Sequence, residues 1–528
     1  MRIERVSRAL MIPAVLAAAL TAQAKVSLPP IFNNDMVIQR STNAPIWGWA
    51  EVGEKVTVTS SWGASATVTT CEQGEWKLNL ETPSAGGPHT IKIQGENLIT
   101  LDNVLSGDVW VCSGQSNMAE PLQKTYSAEE EIAQADFPEL RQFTVKPSSS
   151  DHEKEDYRGA WSVCSPSNAG NFTAVGYYFG KYIYLDQKIP IGLINASWGG
   201  TRIDPWTPRI GLELEAELKG VVEELDRMDP TSELGNQVFA KYVAELKEWL
   251  PGAEASLAAG LPLSPMPDEP DWRRTGQSRH QNPTFIYNSM IAPILPCAIK
   301  GVIWYQGESN SGEVRELYAA KMRALIHGWR SVWGQGDFPF YIVQLASYSR
   351  SDRSNAAGGG GFTRARQAQL DSLSIPNTGL AVTIDIGDAS NVHPRNKRDV
   401  GKRLARWALA RDYGKDILVS GPLYKNLEVS GDKAILSFDF TGSGLMIGKK
   451  EGMEPVQEFA DSKIEWFAIS GADNRWYYAD SVILGNTVVV SSPKVPNPIA
   501  VRYAYTANPE GALLYNREGL PASPFTTE

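Results

Sequence analysis

Hydrophobic and polar residues alternate between Lys25 and Asn103, and turn residues interrupt the alternation at short intervals. The segments KVTVTSSW, WKLNLE and HTIKIQG each place every second side chain on one face, which is the pattern of a strand with one buried face. Turns that contain glycine, such as Gly86-Gly87, separate the strands at the spacing of a β-sandwich. The pattern predicts an N-terminal β-module over residues 25–103.

A different pattern begins at Asp108, where polar residues become rare in the strand-like segments. Runs that are apolar throughout are typical of parallel strands buried on both faces, and they occur in VWVCSG, IPIGLINAS, KGVIWYQGES, FPFYIVQLAS and TGLAVTIDIG. Segments with helical periodicity lie between them, for example at 173–186, 314–333 and 397–414. Strands and helices in alternation predict an α/β domain with a mostly parallel sheet over residues 104–418.

Two further segments depart from this alternation. Acidic helical sequence, followed by the Pro-rich connector LPLSPMPDEPDW, predicts a helical insertion at about residues 211–272. After Gly421 short alternating strands return, as in KAILSFDF and NTVVVSSP, and they predict a C-terminal β-sandwich-like module over residues 419–528. The expected architecture is therefore an α/β domain flanked by two β-modules.

The first 24 residues have the pattern of a secretory signal peptide. Three arginines precede an apolar run from Ala9 to Ala22, and Ala22-Gln23-Ala24 supplies small residues for cleavage before Lys25. The apolar run is about 14 residues long, short of the roughly 20 that span a bilayer. We therefore expect an exported protein, periplasmic or extracellular, without a stable membrane anchor.

Composition narrows the range of functions. Fifty Lys and Arg residues against 60 Asp and Glu residues give a formal net charge of -10, so the chain has no basic surplus for nucleic acid. There are only five histidines, and the four cysteines form no CxxC motif and no Cys/His cluster. We expect no metal, no cofactor and no thiol catalysis, while the pairing of the cysteines stays open.

The segment VWVCSGQSNMAEPL, residues 109–122, carries the first candidate for chemistry. A buried strand that ends in Ser113-Gly114-Gln115-Ser116 places a hydroxyl group on a sharp turn at the carboxyl end of the sheet, where open α/β sheets keep their sites. The helix-like sequence beyond the turn directs backbone N–H groups toward the same spot. Ser116 is therefore a candidate nucleophile, although serine after glycine is also an ordinary turn residue.

A nucleophilic serine needs a base, and the five histidines can be compared one by one. Three of them have a simpler structural explanation. His89 lies in a turn of the β-module, His152 in a charged run and His327 in an amphipathic helix. His280 precedes a helix and could line a cleft. His393 alone follows a buried parallel strand, in AVTIDIGDASNVHPRNK, with acidic residues nearby, and it is the candidate base.

A carboxylate that orients the imidazole is the next requirement. Asp385 and Asp388 come shortly before His393, and Glu308 lies at the strand end WYQGESN together with the amide of Gln306. Each of these polar side chains could instead serve in a cap or a turn.

Another strand end supplies glycines. In ASWGGTRIDPW, either Gly199 or Gly200 can offer an unobstructed backbone N–H group to an oxyanion. The strand end therefore adds a candidate oxyanion donor to the candidate nucleophile and base.

Four blocks, GQSNM, WGGT, GVIWYQGESN and DIGDASNVHPRNK, occur in an order and at spacings that resemble the sialate O-acetylesterase family of the SGNH (GDSL-like) hydrolases. The flanking β-modules and the closing YNREGLPASPF also resemble that family, so the resemblance covers essentially the whole chain after residue 24. It implies a three-layer SGNH-like domain and hydrolysis of sugar acetyl esters without a cofactor.

The resemblance also implies roles for particular residues. Ser116 would be the nucleophile and His393 the base. The oxyanion hole would combine the backbone N–H groups of Ser116 and of Gly199 or Gly200 with the side chain of Gln306.

The orienting acid departs from the wider SGNH pattern. That pattern has Asp three residues before the histidine, and Ser390 stands there in this chain. Glu308 and Asp388 are the two candidate acids, and a Ser-His dyad with backbone support is the third alternative.

The sugar is the least determined part of the prediction. The resemblance implies O-acetylated sialic acid as the substrate, and Arg202 could meet its carboxylate or form a structural ion pair instead. Acetylxylan or another acetylated polysaccharide is the alternative, since Trp206 and the neighbouring Trp198 and Trp304 could stack on any sugar. An alternative of another class, suggested by Ser390, is a non-catalytic glycan-binding protein.

Overall fold

The computed structural model describes residues 25–270, 276–511 and 513–528. The expected signal peptide at 1–24 lies outside the described residues. The first strands match the alternating pattern: side chains of the fifth strand are alternately exposed and buried. The N-terminal strands are β1 (Val37–Gln39), β2 (Asn43–Trp49), β3 (Lys55–Ser60), β4 (Ser65–Thr69), β5 (Glu75–Glu81) and β6 (Gly86–Gln94).

The long strand β7 (Leu98–Gly114) joins the N-terminal β-module to the central sheet. Its first half pairs with β6 in antiparallel register, from Leu98 opposite Gln94 to Ser106 opposite Gly86. Its second half lies between two parallel strands and is buried at every position from Val104 to Gly114. The change from alternating to continuous burial in the sequence therefore occurs within one strand.

The central sheet contains six further strands, and its order is β13-β12-β11-β7-β10-β8-β9. All neighbours in this order are parallel except β9, which is antiparallel to β8. The predicted α/β class with a mostly parallel sheet is confirmed. These strands are β8 (Phe137–Val145), β9 (Gly159–Cys164), β10 (Ile191–Ser197), β11 (Gly301–Tyr305), β12 (Phe340–Val343) and β13 (Thr378–Ala381).

Helices connect the strands of the sheet, and shorter helical turns of three to six residues lie between them. The helix α3 packs against α9, and α7 packs against α4 and α8. The helices are α1 (Ser116–Ala119), α2 (Ala128–Ala133), α3 (Ala174–Gln187), α4 (Arg209–Glu213), α5 (Lys219–Met228), α6 (Glu233–Ala258), α7 (Arg315–Trp333), α8 (Gly361–Asp371) and α9 (Lys397–Arg411). The short turns are Leu122–Lys124, Ala169–Asn171, Asp204–Trp206, Ala216–Leu218, Gly276–Gln281, Tyr287–Ile291, Ala292–Ile294, Glu308–Asn310 and Ser372–Ser374.

The helices α5 and α6 pack against each other within the segment that the sequence marks as an insertion. Leu212, Leu218 and Leu225 bury their side chains against Ala320 and Ala324 of α7. The long helix α6 has only Gly235 and Ala253 buried. Among the residues that the structure describes, no helix combines the length and the hydropathy needed to span a bilayer.

Three antiparallel sheets form the C-terminal part of the chain, in the orders β14-β15-β21-β20, β17-β16-β23 and β19-β18-β22-β24. The strands are β14 (Leu423–Ser430), β15 (Lys433–Asp439), β16 (Leu445–Lys449), β17 (Gln457–Glu458), β18 (Phe467–Ser470), β19 (Trp476–Tyr478), β20 (Asp480–Leu484), β21 (Thr487–Ser491), β22 (Ala500–Tyr503), β23 (Leu513–Asn516) and β24 (Phe525–Thr526).

A buried guanidinium attaches this part to the α/β domain. Arg366 on α8 donates hydrogen bonds of 2.7–2.8 Å to the carbonyl oxygens of Leu345 and Ala346, which follow β12, and of Thr506 and Ala507 in the C-terminal part. Burial lowers the pKa of Arg366 to about 9. Four carbonyl acceptors compensate for much of the solvation that the charged group loses.

The cysteines are unpaired. Cys112 and Cys164 are buried, Cys297 is half-buried and Cys71 is exposed, and each is a free thiol. Burial raises the pKa of Cys112 and Cys297, so both thiols stay protonated at neutral pH. The structure therefore resolves the question of pairing that the sequence left open.

Candidate active site

The turn after β7 places Ser116 at the first position of helix α1. Gly114 has φ of +132°, and a Cβ atom there would lie 2.1 Å from the carbonyl oxygen of Tyr305 on β11. Only glycine fits such a turn without moving the neighbouring strand. The backbone N–H of Gln115 then donates to the Tyr305 carbonyl at 2.9 Å, which fixes the direction in which α1 leaves the sheet.

His393 meets Ser116 across the edge of the sheet. The Nε2 atom of His393 lies 2.7 Å from the Oγ atom of Ser116, and the two residues are 277 positions apart in the sequence. Burial lowers the pKa of the imidazole, Glu120 opposes this effect, and Lys397 and Lys124 add to it. The imidazole is therefore neutral at neutral pH, the form that is able to accept a proton.

The side chain of Asn117 connects α1 to the loop that contains Val392 and His393, called the histidine loop below. Its amide nitrogen donates to the carbonyl oxygen of Val392 at 3.0 Å and to the Oε1 atom of Glu308 at 2.5 Å. Its amide oxygen accepts a hydrogen bond from the ammonium group of Lys397, a fully buried residue at the start of α9. One asparagine thus positions the peptide group directly before His393 relative to Ser116.

The two predicted acids lie near the site but hold other partners. Glu308 bonds to Asn117, and its buried Oε2 atom has no partner among the residues that the structure describes. Burial raises the pKa of this carboxyl. Asp388 accepts hydrogen bonds of 2.8 Å from the backbone and the hydroxyl of Ser390, which lower its pKa. In the part of the chain that the structure describes, neither carboxylate is hydrogen-bonded to His393.

The third candidate acid, Asp385, also has another partner. Asp385 is buried and forms an ion pair with Arg403 at 2.6 Å. It therefore stabilises the packing of α9 against the chain that follows β13.

Gly199 and Gly200 follow β10 in a loop, called the glycine loop below, that lies against Ser116. A Cβ atom on Gly199 would approach the Cβ atom of Ser116 to 3.3 Å, so the backbone of this loop is close to the hydroxyl group. Gly200 has φ of +75°, a conformation that glycine adopts without strain. The loop backbone therefore lies directly against Ser116.

Gln306 is fully buried beneath this loop. Its amide nitrogen donates to Asn310 Oδ1 at 2.7 Å and to Gln115 Oε1 and the Thr201 carbonyl, each at 3.2 Å. Tyr318 donates its hydroxyl to the amide oxygen at 3.0 Å. The side chain thus connects the ends of β7, β10 and β11, and its donors face protein acceptors.

The predicted sugar-binding side chains have different surroundings. Arg202 is 42% exposed and forms ion pairs with Glu313 and with Asp204. Trp206 is fully buried, and its indole N–H donates to Thr201 at 2.9 Å, so its ring faces the interior and not a bound sugar.

The other two tryptophans also differ in exposure. Trp304 is fully buried. Trp198 is half-buried at the start of the glycine loop, and its ring stacks on His280 with centroids 4.6 Å apart.

Sequence reasoning did not identify Asn117, Lys397 or Gln115 as site residues. Asn117 and Gln115 are residue types that are common in ordinary turns. A lysine in a helix, such as Lys397, is usually exposed. The available signal was their place next to the serine and histidine blocks. Burial of Lys397, which lowers its pKa to about 8, becomes visible only in three dimensions.

Known carbohydrate esterases are similar to this chain in sequence and in structure. The family described as carbohydrate esterase, sialic acid-specific acetylesterase matches residues 271–410. The sialate O-acetylesterase of Mus musculus is 31% identical over 94% of this chain and 93% of its own length, and that of Homo sapiens is 28% identical over 98% and 95%. A carbohydrate acetylesterase from Xanthomonas citri has 34% sequence identity and a TM-score of 0.77, covering 95% of this chain and 99% of its own.

The fold and these relatives define an SGNH-like carbohydrate acetylesterase, which is an ester hydrolase. Within that class, the chain belongs to the sialate O-acetylesterase family. The resemblance of the four sequence blocks is confirmed by the matches along nearly the whole chain. A non-catalytic glycan-binding protein, the alternative suggested by Ser390, has no support in these findings.

Replacing Asn117 tests whether it positions the histidine loop. We expect Asn117→Ala to lower kcat/KM for 4-nitrophenyl acetate about 100-fold, since displacing a catalytic group by about 1 Å has that cost. Circular dichroism should show an unchanged fold. The matched control is Asn168→Ala, which removes an exposed amide bonded to the Val163 carbonyl and should leave the rate within about twofold. A wild-type rate in Asn117→Ala would contradict the positioning role.

Proposed function

We propose that this acetylesterase acts through an acyl-enzyme on Ser116, with His393 as the general base. The observation that carries the proposal is the 2.7 Å contact between His393 Nε2 and Ser116 Oγ. The imidazole accepts the hydroxyl proton while Oγ attacks the acetyl carbonyl carbon. His393 then donates that proton to the departing sugar oxygen. A water molecule, deprotonated by His393, attacks the acetyl-serine ester, and acetate leaves as Ser116 regains its proton.

The negative charge of each tetrahedral intermediate needs donors close to Ser116. As the first residue of a helix, Ser116 has a backbone N–H without an intrahelical partner. The glycine loop supports a second donor from Gly199 or Gly200. Gln306 joins this oxyanion hole only if its amide exchanges one of its three protein acceptors for the oxyanion.

We infer a Ser-His dyad rather than a triad with Glu308 or Asp388. The bonding of both carboxylates to other groups supports this inference. Instead of an acid, the backbone of the histidine loop holds His393: its N–H donates to Asn391 Oδ1 at 2.9 Å, and the preceding carbonyl bonds to Asn117. These bonds fix the backbone that carries the imidazole, whereas a triad carboxylate would hold the ring itself.

Single substitutions separate these roles. We expect Ser116→Ala to reduce kcat for 4-nitrophenyl acetate by three or more orders of magnitude, roughly the loss known for serine nucleophiles. Asp388→Asn and Glu308→Gln should each reduce kcat as well, but by a factor at least about ten times smaller than that of Ser116→Ala. Ser165→Ala, which removes an exposed hydroxyl, is the control. Labelling of wild type but not of Ser116→Ala by a serine-directed phosphonate should accompany the loss. Near wild-type hydrolysis by Ser116→Ala would refute the mechanism.

The pH dependence should report on His393. Only neutral imidazole accepts the proton, so kcat/KM rises with pH through the pKa of this group. Because burial lowers that pKa, we expect the midpoint of the rise below about 6.5, the ordinary value for histidine. Lys124→Ala removes a nearby cation that disfavours imidazolium, and the midpoint should move to higher pH. Lys425→Ala, at an exposed ion pair with Asp439, should leave the profile unchanged. A midpoint above 6.5 in wild type would show that a group other than His393 causes the rise of kcat/KM with pH.

For the sugar, we propose an O-acetylated sialic acid, as the names of the mouse and human relatives suggest. The second candidate is a neutral acetylated polysaccharide such as acetylxylan, and one observation favours it. Arg202 is already paired with Glu313 and Asp204, so it offers little net positive charge to a sialate carboxylate.

Acetate release from defined sugars distinguishes the two candidates. We expect a higher kcat/KM for 9-O-acetylated sialic acid than for acetylated xylotetraose. Arg202→Ala should raise the KM for the sialic acid ester and leave the KM for the xylose ester unchanged, because only the former carries a carboxylate. Faster hydrolysis of the neutral ester, with no effect of Arg202→Ala, would replace the sialate proposal by the second candidate.

We also propose export of the chain with cleavage after Ala24. Support comes from the three arginines, the apolar run and the Ala-Gln-Ala site at the start of the sequence. N-terminal sequencing of protein from the periplasm or the medium of an expressing bacterium should begin at Lys25. Recovery of the uncleaved chain in the cytoplasm would contradict export.

A further inference from the structure

A cleft of about 560 Å³ separates the N-terminal β-module from the α/β domain. Strands β2 and β5 form one wall, and the segments 153–155 and 292–296 form the other. Neither Ser116 nor His393 lines it. The volume lies within the range of roughly 300–1,000 Å³ that is usual for small-molecule sites.

Two indole rings line this cleft. Trp47 and Trp49 lie two residues apart on β2, on the same face of the strand, and each is partly exposed. Phe32 packs edge-on against Trp47, with centroids 4.6 Å apart, and holds that ring in place. Trp76 on β5 pairs with Gly48, so its ring lies on the other, buried face of these two strands and is only 3% exposed.

Carboxylates lie beside the indoles. Glu75 stands opposite Trp49 in the register of β2 and β5, and the Trp49 indole N–H donates to Glu155 at 3.3 Å. Partial burial and the neighbouring Glu155 raise the pKa of Glu75, which places the two carboxyl groups close together. Both groups accept hydrogen bonds from hydroxyl groups.

The charge of the cleft restricts its ligand. Three lining residues are acidic and two are basic: Glu75, Glu153, Glu155, Lys77 and Lys154. A negative excess disfavours an anionic ligand. Flat apolar faces together with hydroxyl acceptors suit a pyranose ring, whose C–H face is apolar and whose rim carries hydroxyl groups.

We propose that this cleft is a second carbohydrate-binding site, which holds a neutral oligosaccharide against Trp47 and Trp49. The sugar hydroxyls donate to Glu75 and Glu155. The site needs no acetyl group on the sugar and does not depend on the chemistry at Ser116. It gives the esterase a means of remaining on a glycan chain between deacetylation events.

Isothermal titration calorimetry of the full chain tests the site with three neutral probes, xylotetraose, cellotetraose and lacto-N-tetraose, and one anionic probe, tetragalacturonate. We expect saturable binding of at least one neutral probe and none of tetragalacturonate at equal concentration. Trp49→Ala should weaken the neutral probe about tenfold, the size expected for loss of one stacking ring. Glu155→Gln, an exposed change that leaves the packing intact, should weaken it as well.

Trp62→Ala is the matched control, since Trp62 is a partly exposed tryptophan of the same β-module that does not line the cleft. It should bind the probe as wild type does. Hydrolysis of 4-nitrophenyl acetate by Trp49→Ala should stay at the wild-type rate, so failure of this site is distinguishable from failure of the Ser-His mechanism. No saturable binding of any neutral probe, or binding that Trp49→Ala and Glu155→Gln leave unchanged, would overturn the proposal.

Discussion

The absence of a side chain at Gly114 is the constraint on which the arrangement at the sheet edge depends. Any Cβ atom there would collide with the Tyr305 carbonyl, so glycine alone lets β7 end in close contact with β11. That contact sets the direction of α1 and brings Ser116 to the glycine loop after β10. Three strand ends thereby present a hydroxyl group, backbone amides and a buried glutamine amide at one place, and the histidine loop completes the set from the far end of the domain.

Buried charges then hold the connecting segments in position. Lys397 and Glu308 lie on either side of Asn117, so the two charges are linked through one neutral amide. Asp108 on β7 accepts hydrogen bonds from Gln39, Arg40 and Tyr413, which belong to the N-terminal part of the chain and to the segment after α9. Such groups are costly to bury without partners, so their presence makes alternative packings of these segments unfavourable.

The sequence predicted the elements better than their interactions. Apolar runs located β7, β10, β11, β12 and β13 because strands buried on both faces contain few polar residues. Strand β8 was missed because its interior carries Arg141 and Gln142, which interrupt the apolar pattern although both are buried. Ser116 and His393 were singled out because few residue types perform such chemistry, and the structure places them 2.7 Å apart. Hydrogen bonds between residues almost 200 positions apart, such as Asn117 with Glu308, leave no local trace in a sequence.

The continuity of β7 has a consequence for how this enzyme can be divided. A strand of 17 residues that belongs to the β-module at one end and to the centre of the parallel sheet at the other is not a linker. The N-terminal module therefore cannot be removed or exchanged without cutting a strand of the central sheet. Any graft must therefore retain the whole of β7, because this strand sets the position of the N-terminal module relative to Ser116.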